Sequence, residues 1–346
     1  MTDVAKDNKH QGGAMDAPRT TLKIASMIWL GPAIAWLVIL VFFGIVGAQN
    51  GFLTAGGTAG WLNIAAELGI IAIPVGLLMM AGEFDLSTGS MVGAASIIVA
   101  VGTSYYGLSS ATVIGLAIVL AVLVGIFNAT LVERTKLPSF IVTLASNMIL
   151  VGTALGLSRF LAGTSTISMK TEGWAEVALA TKFGNFNIAI IWWALAALFA
   201  AWVLRRTPFG NWILATGGNI DGARRAGVPV GRVKLVLFIW TAVSAAFVGI
   251  LTTFEFNQGN ASSGQGYVFQ GAIAAVIGGV LISGGFGSVL GIVFGTMIYG
   301  VVSLGLFYTG WSTDWLSTFV GLLLVIAVVT NNLVRQKAIT QGASRK

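Results

Sequence analysis

Two carboxylates, Glu83 and Asp85, stand two residues apart in the stretch AGEFDLSTGS, residues 81–90. Such a pair suits three kinds of chemistry. It could perform acid–base hydrolysis of the glycosidase type, hold a coupling ion in a transporter, or serve as the polar punctuation that caps a helix between two membrane spans. A third acid, Glu67, lies inside a long apolar run. A carboxylate there is either a functional group or the donor-seeking end of a structural hydrogen bond, because desolvating it is costly.

The other reactive residue types narrow the field. The 346-residue chain has no cysteine, which removes disulfides, thiolate metal sites and cysteine nucleophiles. Its one histidine, His10, sits in a polar amino-terminal stretch without partners for a triad or a zinc site. No Gly-Lys dipeptide occurs, so a Walker A phosphate loop is absent. No metal site, cofactor or enzymatic activity is expected of this chain.

The elements that must position these groups are membrane helices. Of the residues 56% are hydrophobic and only 9% charged, and mean hydropathy is +0.89. Soluble domains hold about 25% charged residues, so the lipid bilayer is this chain's solvent. Apolar runs between polar or Gly/Pro breaks predict an all-α polytopic membrane protein with about ten spans: 26–47, 61–81, 89–106, 111–132, 138–157, 187–204, 233–254, 268–283, 287–308 and 314–334. The eighth is short and glycine-interrupted, as re-entrant or broken helices are. A polar tail, 1–25, and a basic tail, 335–346, flank the membrane-spanning core, 26–334.

Basic residues in short loops stay on the cytoplasmic side. With ten spans and both termini inside, all 19 Lys and Arg fall on the inner side except Arg159, Lys170 and Lys182. The net charge of +7 is thereby a matter of topology, and no nucleic-acid partner is implied. Trp61, Trp202, Trp212, Trp311 and Trp315 fall near span ends, where an interfacial belt is expected. Gly287, Gly291 and Gly295 recur every fourth residue, a spacing that lets helices pack closely. They mark either a seam between subunits or packing within one, and the latter is the simpler account.

The inner loop 205–232 carries five arginines and one acid. Within it DGARRAGVPVGR predicts a short helix, Asp221 to Ala226, stopped by Gly227 and Pro229. Such a helix could anchor on anionic lipid, or dock as a knob on a soluble partner.

At this loop the sequence resembles the membrane subunits of bacterial ATP-binding-cassette importers. Asp221-Gly222-Ala223-Arg224-Arg225-Ala226-Gly227 is a variant of their cytoplasmic Glu-Ala-Ala-x-x-x-Gly pattern. Three further stretches resemble ribose/xylose/arabinose-type sugar permeases: GEFDLSTGS, GIFNATLVERTKLPSFIVTLAS and GQGYVFQGAIAAVIGGVLISGGFGSVLG. Val268 and Gln270 stand where that family often has acids, and Ala129 and Ala145 where it has glycines. The resemblance implies a permease subunit in a bacterial inner membrane that imports a small sugar or polyol. Residues Asn219, Asp221, Gly222, Ala223, Arg224, Arg225 and Gly227 would couple it to an ATPase subunit, which binds ATP and Mg. An extracytoplasmic solute-binding protein and a second permease subunit complete the implied assembly. Glu67, Asp85, Ser87 and Asn147 are the candidates for gating or translocation, with Asp85 matching the family's Asp and Glu83 expected to be solvated. The rival readings are an ion-driven secondary transporter using Glu67 or Asp85, and a membrane enzyme.

Overall fold

A computed structural model describes residues 29–170 and 173–343. The polar tail with His10 and the final basic residues lie outside them. Among the described residues each of the ten apolar runs holds a helix, and smaller elements join them. The ten helices are α1 (Leu30–Val46), α2 (Ala55–Met80), α3 (Thr88–Ser104), α4 (Ser110–Thr135), α5 (Ser139–Ala162), α7 (Ala189–Arg206), α10 (Val230–Phe256), α11 (Tyr267–Ile277), α12 (Val289–Tyr308) and α13 (Leu316–Ala343). Short helices α6 (Trp174–Leu179), α8 (Pro208–Gly218) and α9 (Ile220–Arg225) lie between them.

Among the described residues sheet is confined to two small pairs. Strand β1 (Thr166–Ser168) runs antiparallel to β4 (Gln258–Asn260), and β2 (Lys182–Phe183) forms a hairpin with β3 (Phe186–Asn187). Polar side chains set where several helices begin. Thr54, Ser109 and Ser288 each accept the backbone N–H three residues on, from Gly57, Thr112 and Gly291.

Among the described residues seven helices are long and apolar enough to cross a bilayer, namely α2, α4, α5, α7, α10, α12 and the stretch Thr313–Leu333 around the start of α13. Helices α1 and α3, with 17 residues each, reach about 25 Å at 1.5 Å per residue. Helix α11 has 11 residues, or about 16 Å, and does not cross a ~30 Å core as a helix. Its chain crosses nonetheless. It starts from β4 at the carboxyl end of α10 and arrives at Gly285, whose N–H donates to Met80 O at 2.8 Å, beside α8 at the opposite end of the bundle. The eighth traverse is thus half helix and half irregular chain, and the even number of traverses required by the charge distribution is kept.

Helices α2, α3, α10 and α12 form the buried centre, with α4, α5, α7 and α13 turning large apolar side chains outward. Close approach at the centre depends on missing side chains. A Cβ on Gly291 would strike Gly278 O, and one on Gly295 would strike Ala274 O, so these two glycines seat α12 against α11 within one subunit. Gly287 departs from the expected stripe. Ser288 caps α12, which places Gly287 outside the helix, against the Met80 and Val280 side chains. Trp61 also departs from expectation. Helix α2 begins at Ala55, so Trp61 is a buried residue beside Trp36, with ring centroids 6.4 Å apart, and is no part of a belt.

Replacing Gly295 by Leu is expected to lower stability by about 1–3 kcal/mol or more, because the obstruction is backbone. Gly115→Leu, at a position facing open space on α4, is expected to leave the thermal midpoint in detergent unchanged.

Candidate functional site

Residues 81–87 link α2 to α3 as irregular chain folded into the bundle, and side chains from three other helices satisfy them. Phe84 N–H donates to Ser139 Oγ at 2.9 Å, and Leu86 N–H to Thr143 Oγ1 at 3.0 Å, both on α5. Asp85, 3% exposed, is the hub. Its Oδ1 accepts from Ser87 N at 2.9 Å and Ser87 Oγ at 2.6 Å, while its Oδ2 accepts from Thr241 Oγ1 on α10 at 2.5 Å. Ser87 Oγ in turn accepts from Asn128 Nδ2 on α4 at 3.0 Å, and Asn128 Oδ1 accepts from Ser146 on α5 at 2.5 Å. The Asp85 carboxylate holds the N–H of Ser87, the residue before α3, and not an N–H of the helix itself. Ser87 occupies the N-cap position of α3, but its hydroxyl is spent on Asp85 and Asn128 and caps no helical N–H.

Glu83 is not solvated. Its side chain is 13% exposed and pairs with Lys234 Nζ at 2.5 Å, at the start of α10, where Lys234 is itself 7% exposed. The half-buried Glu133, at the end of α4, lies 3.7 Å from the same Nζ. Glu133 Oε1 accepts from Arg224 at 2.9 Å and from Lys136 at 2.9 Å. Arg224 belongs to α9. An unbroken series of ion pairs therefore runs from α9 through Glu133 and Lys234 to Glu83, two residues from Asp85.

Helix α9 is built as a rigid, surface-standing turn. Asn219 Oδ1 accepts from Gly222 N at 2.8 Å and opens it. Gly227, at φ +81°, closes it: its N–H donates to Arg224 O and that of Val228 to Ala223 O, each at 3.0 Å. Ala223 is buried beneath, whereas Asp221, Gly222, Arg225 and Gly227 are exposed.

At the other end of the bundle, Glu67 lies 12 residues past Ala55, about 18 Å along α2 and deeper than the sequence suggested. Its Oε2 accepts from Tyr267 Oη at 3.1 Å, at the amino end of α11. Both line a cavity of ≈ 220 Å³ between α2, α3, α10 and β4. Asn147 joins neither group: its Oδ1 is buried on α5 with no hydrogen-bond partner among the described residues. Lys234, Glu133, Thr241, Asn128 and Tyr267 were missed from sequence. For Lys234 a signal existed, since it falls just inside the predicted span 233–254, where a lone cation needs a partner.

The comparisons decide what kind of molecule this geometry serves. Residues 57–328 match the family model described as "Branched-chain amino acid transport system / permease component". The chain belongs to that family. It is 30% identical to the fructose import permease protein FrcC of Rhizobium meliloti, over 97% of this chain and 95% of the relative. To the galactose/methyl galactoside import permease protein MglC of Escherichia coli it is 31% identical, over 86% and 93%. To the xylose transport system permease protein XylH of Haemophilus influenzae it is 27% identical, over 85% and 93%. No solved structure matches. The chain is a permease subunit of the ABC-importer type, a multi-pass protein of the bacterial inner membrane.

Breaking one side of a buried ion pair typically costs 3–5 kcal/mol, because the abandoned charge stays desolvated. Lys234→Met is therefore expected to destabilise the chain by about that much. The double variant Glu83→Gln with Lys234→Met is expected to recover most of the loss in thermal unfolding in detergent.

Proposed function

We propose that the chain imports a small neutral sugar or polyol, delivered by an extracytoplasmic solute-binding protein and driven by ATP and Mg bound on a separate ATPase subunit. The observation that carries the driving step is the series of ion pairs behind α9. A helix only six residues long, capped at both ends and standing on the surface, suits insertion into a cleft of a partner. The series joins that knob to the buried 81–87 segment, so movement of α9 has a contiguous route to Asp85 and the helices it fastens together. The ATPase shifts the equilibrium between inward- and outward-open states by binding one of them better. Asn219, Asp221, Gly222, Ala223, Arg225 and Gly227 form or shape the docking turn, and Arg224 transmits from it. The chain itself performs no chemistry on its solute.

The names of FrcC, MglC and XylH support a monosaccharide as the solute. A second permease subunit is supported by α5, whose outer face exposes Gly152 and Gly156 with no atom near either Cβ position. Small residues four apart allow a neighbouring helix to approach closely.

Gly227→Val forces a branched residue into a left-handed conformation that costs roughly 1–2 kcal/mol and unlatches α9. In proteoliposomes with the ATPase subunit and binding protein, solute-stimulated ATP hydrolysis is expected to fall about tenfold or more, while the chain still inserts. The unaltered chain alone is expected to accumulate nothing. Accumulation by it alone under an ion gradient would return the case to a secondary transporter.

A further inference from the structure

The cavity beside Glu67 has no part in the coupling apparatus, and its lining specifies a ligand chemistry. Glu67 Oε2 is engaged by Tyr267, but Oε1 has no donor among the described residues. Asn260 uses its Oδ1 to hold Ser262 N at 2.8 Å and leaves its Nδ2 unused among them; the Gln258 amide is likewise unpaired. A carboxylate inside a membrane bundle is costly to desolvate. One with a lone oxygen facing an open space requires a donor from whatever enters.

The lining contains no Lys, Arg or His. The nearby acid Glu255 is already matched, its Oε1 accepting from Asn187 at 2.7 Å and lying 3.4 Å from Lys182. An amino-acid solute, as in the wording of the family description, would pair its ammonium with Glu67 but bring a carboxylate for which the lining offers only the neutral amides of Asn260 and Gln258 and no cation. A sugar brings hydroxyls that donate to Glu67 Oε1 and accept from the amides of Asn260 and Gln258, while Phe256 offers an apolar wall to its C–H face. The volume of ≈ 220 Å³ is many times the roughly 10–15 Å³ that admits one water, so the cavity admits a solute of several heavy atoms.

We propose that this cavity is a monosaccharide-binding site within the single permease subunit, in which Glu67 accepts hydroxyl hydrogen bonds and Tyr267 fixes the carboxylate. The site is where the solute rests after leaving its binding protein. The inference rests on the import reading above and assigns its solute a place.

The absence of cysteine makes the test direct. Ser263→Cys, on the cavity wall, and Thr252→Cys, as a second reporter, are labelled with a hydrophilic maleimide in proteoliposomes holding the full chain alone. Tyr106→Cys, on an exposed turn away from the cavity, is the control. D-Fructose, D-galactose and D-xylose are the probes, with L-leucine for comparison. At least one sugar is expected to slow labelling at the cavity positions and not at Tyr106→Cys, and leucine is expected to have no effect. A hydrogen bond to a charged group is worth ~1.5–3 kcal/mol. Adding Glu67→Ala should therefore raise the half-protecting sugar concentration about tenfold or more, and Glu67→Gln should raise it less. Equal labelling rates with and without all three sugars would overturn the proposal. So would equal protection by leucine, or protection indifferent to Glu67→Ala. No ATPase or binding protein takes part, so failure here leaves the ATP-coupling reading standing, and failure of coupling leaves this result standing.

Discussion

A hydrocarbon interior offers no water to unpaired peptide groups, and each one left bare there costs several kcal/mol. Helices satisfy this constraint by themselves; irregular chain does so only inside protein and only with partners. The molecule places two irregular segments within its bundle, 81–87 and 278–288, and much of its polar side-chain apparatus serves them. Ser139 and Thr143 supply acceptors to the first, Asp85 turns back on its own chain, and Met80 O receives Gly285 from the second. Those side chains are fixed by backbone need before any transport role is considered.

The same constraint explains why side chains from several helices converge on the first segment. Asp85 gathers donors from its own segment and from α10, and Ser87 passes the connection on to α4 and α5. The ion pair of Glu83 with Lys234 lies at the edge of this network and joins it to the start of α10. At the opposite end, the β1–β4 ladder ties the chain after α5 to the chain before α11, so the cavity wall is also fastened on both flanks.

The fold was legible because hydropathy states the physical requirement directly: each of the ten apolar runs holds a helix, although the eighth stops at Ile277 and the tenth runs on to Ala343. The knob α9 was legible because Gly227 and Pro229 are local stop signals. What went wrong was also local. Helix α2 starts at Ala55, ahead of the visibly apolar run, because small residues continue a helix once Thr54 has capped it; Trp61 and Glu67 were consequently placed too near the surface. Gly287 looked helical by spacing until the cap at Ser288 cut it off. The pairing of Glu83 with Lys234 and the meeting of Glu67 with Tyr267 were not legible at all. Each joins residues far apart in the chain, and spacing along a sequence carries no record of which helices become neighbours.

The series of charges behind α9 is graded in its exposure to solvent. Its outer link, Arg224 with Glu133, is open to water on both sides, whereas its inner link, Lys234 with Glu83, is nearly shut away. Dissolved ions screen the first strongly and the second hardly at all. Raised ionic strength therefore loosens the outer contact first and leaves the inner one in place.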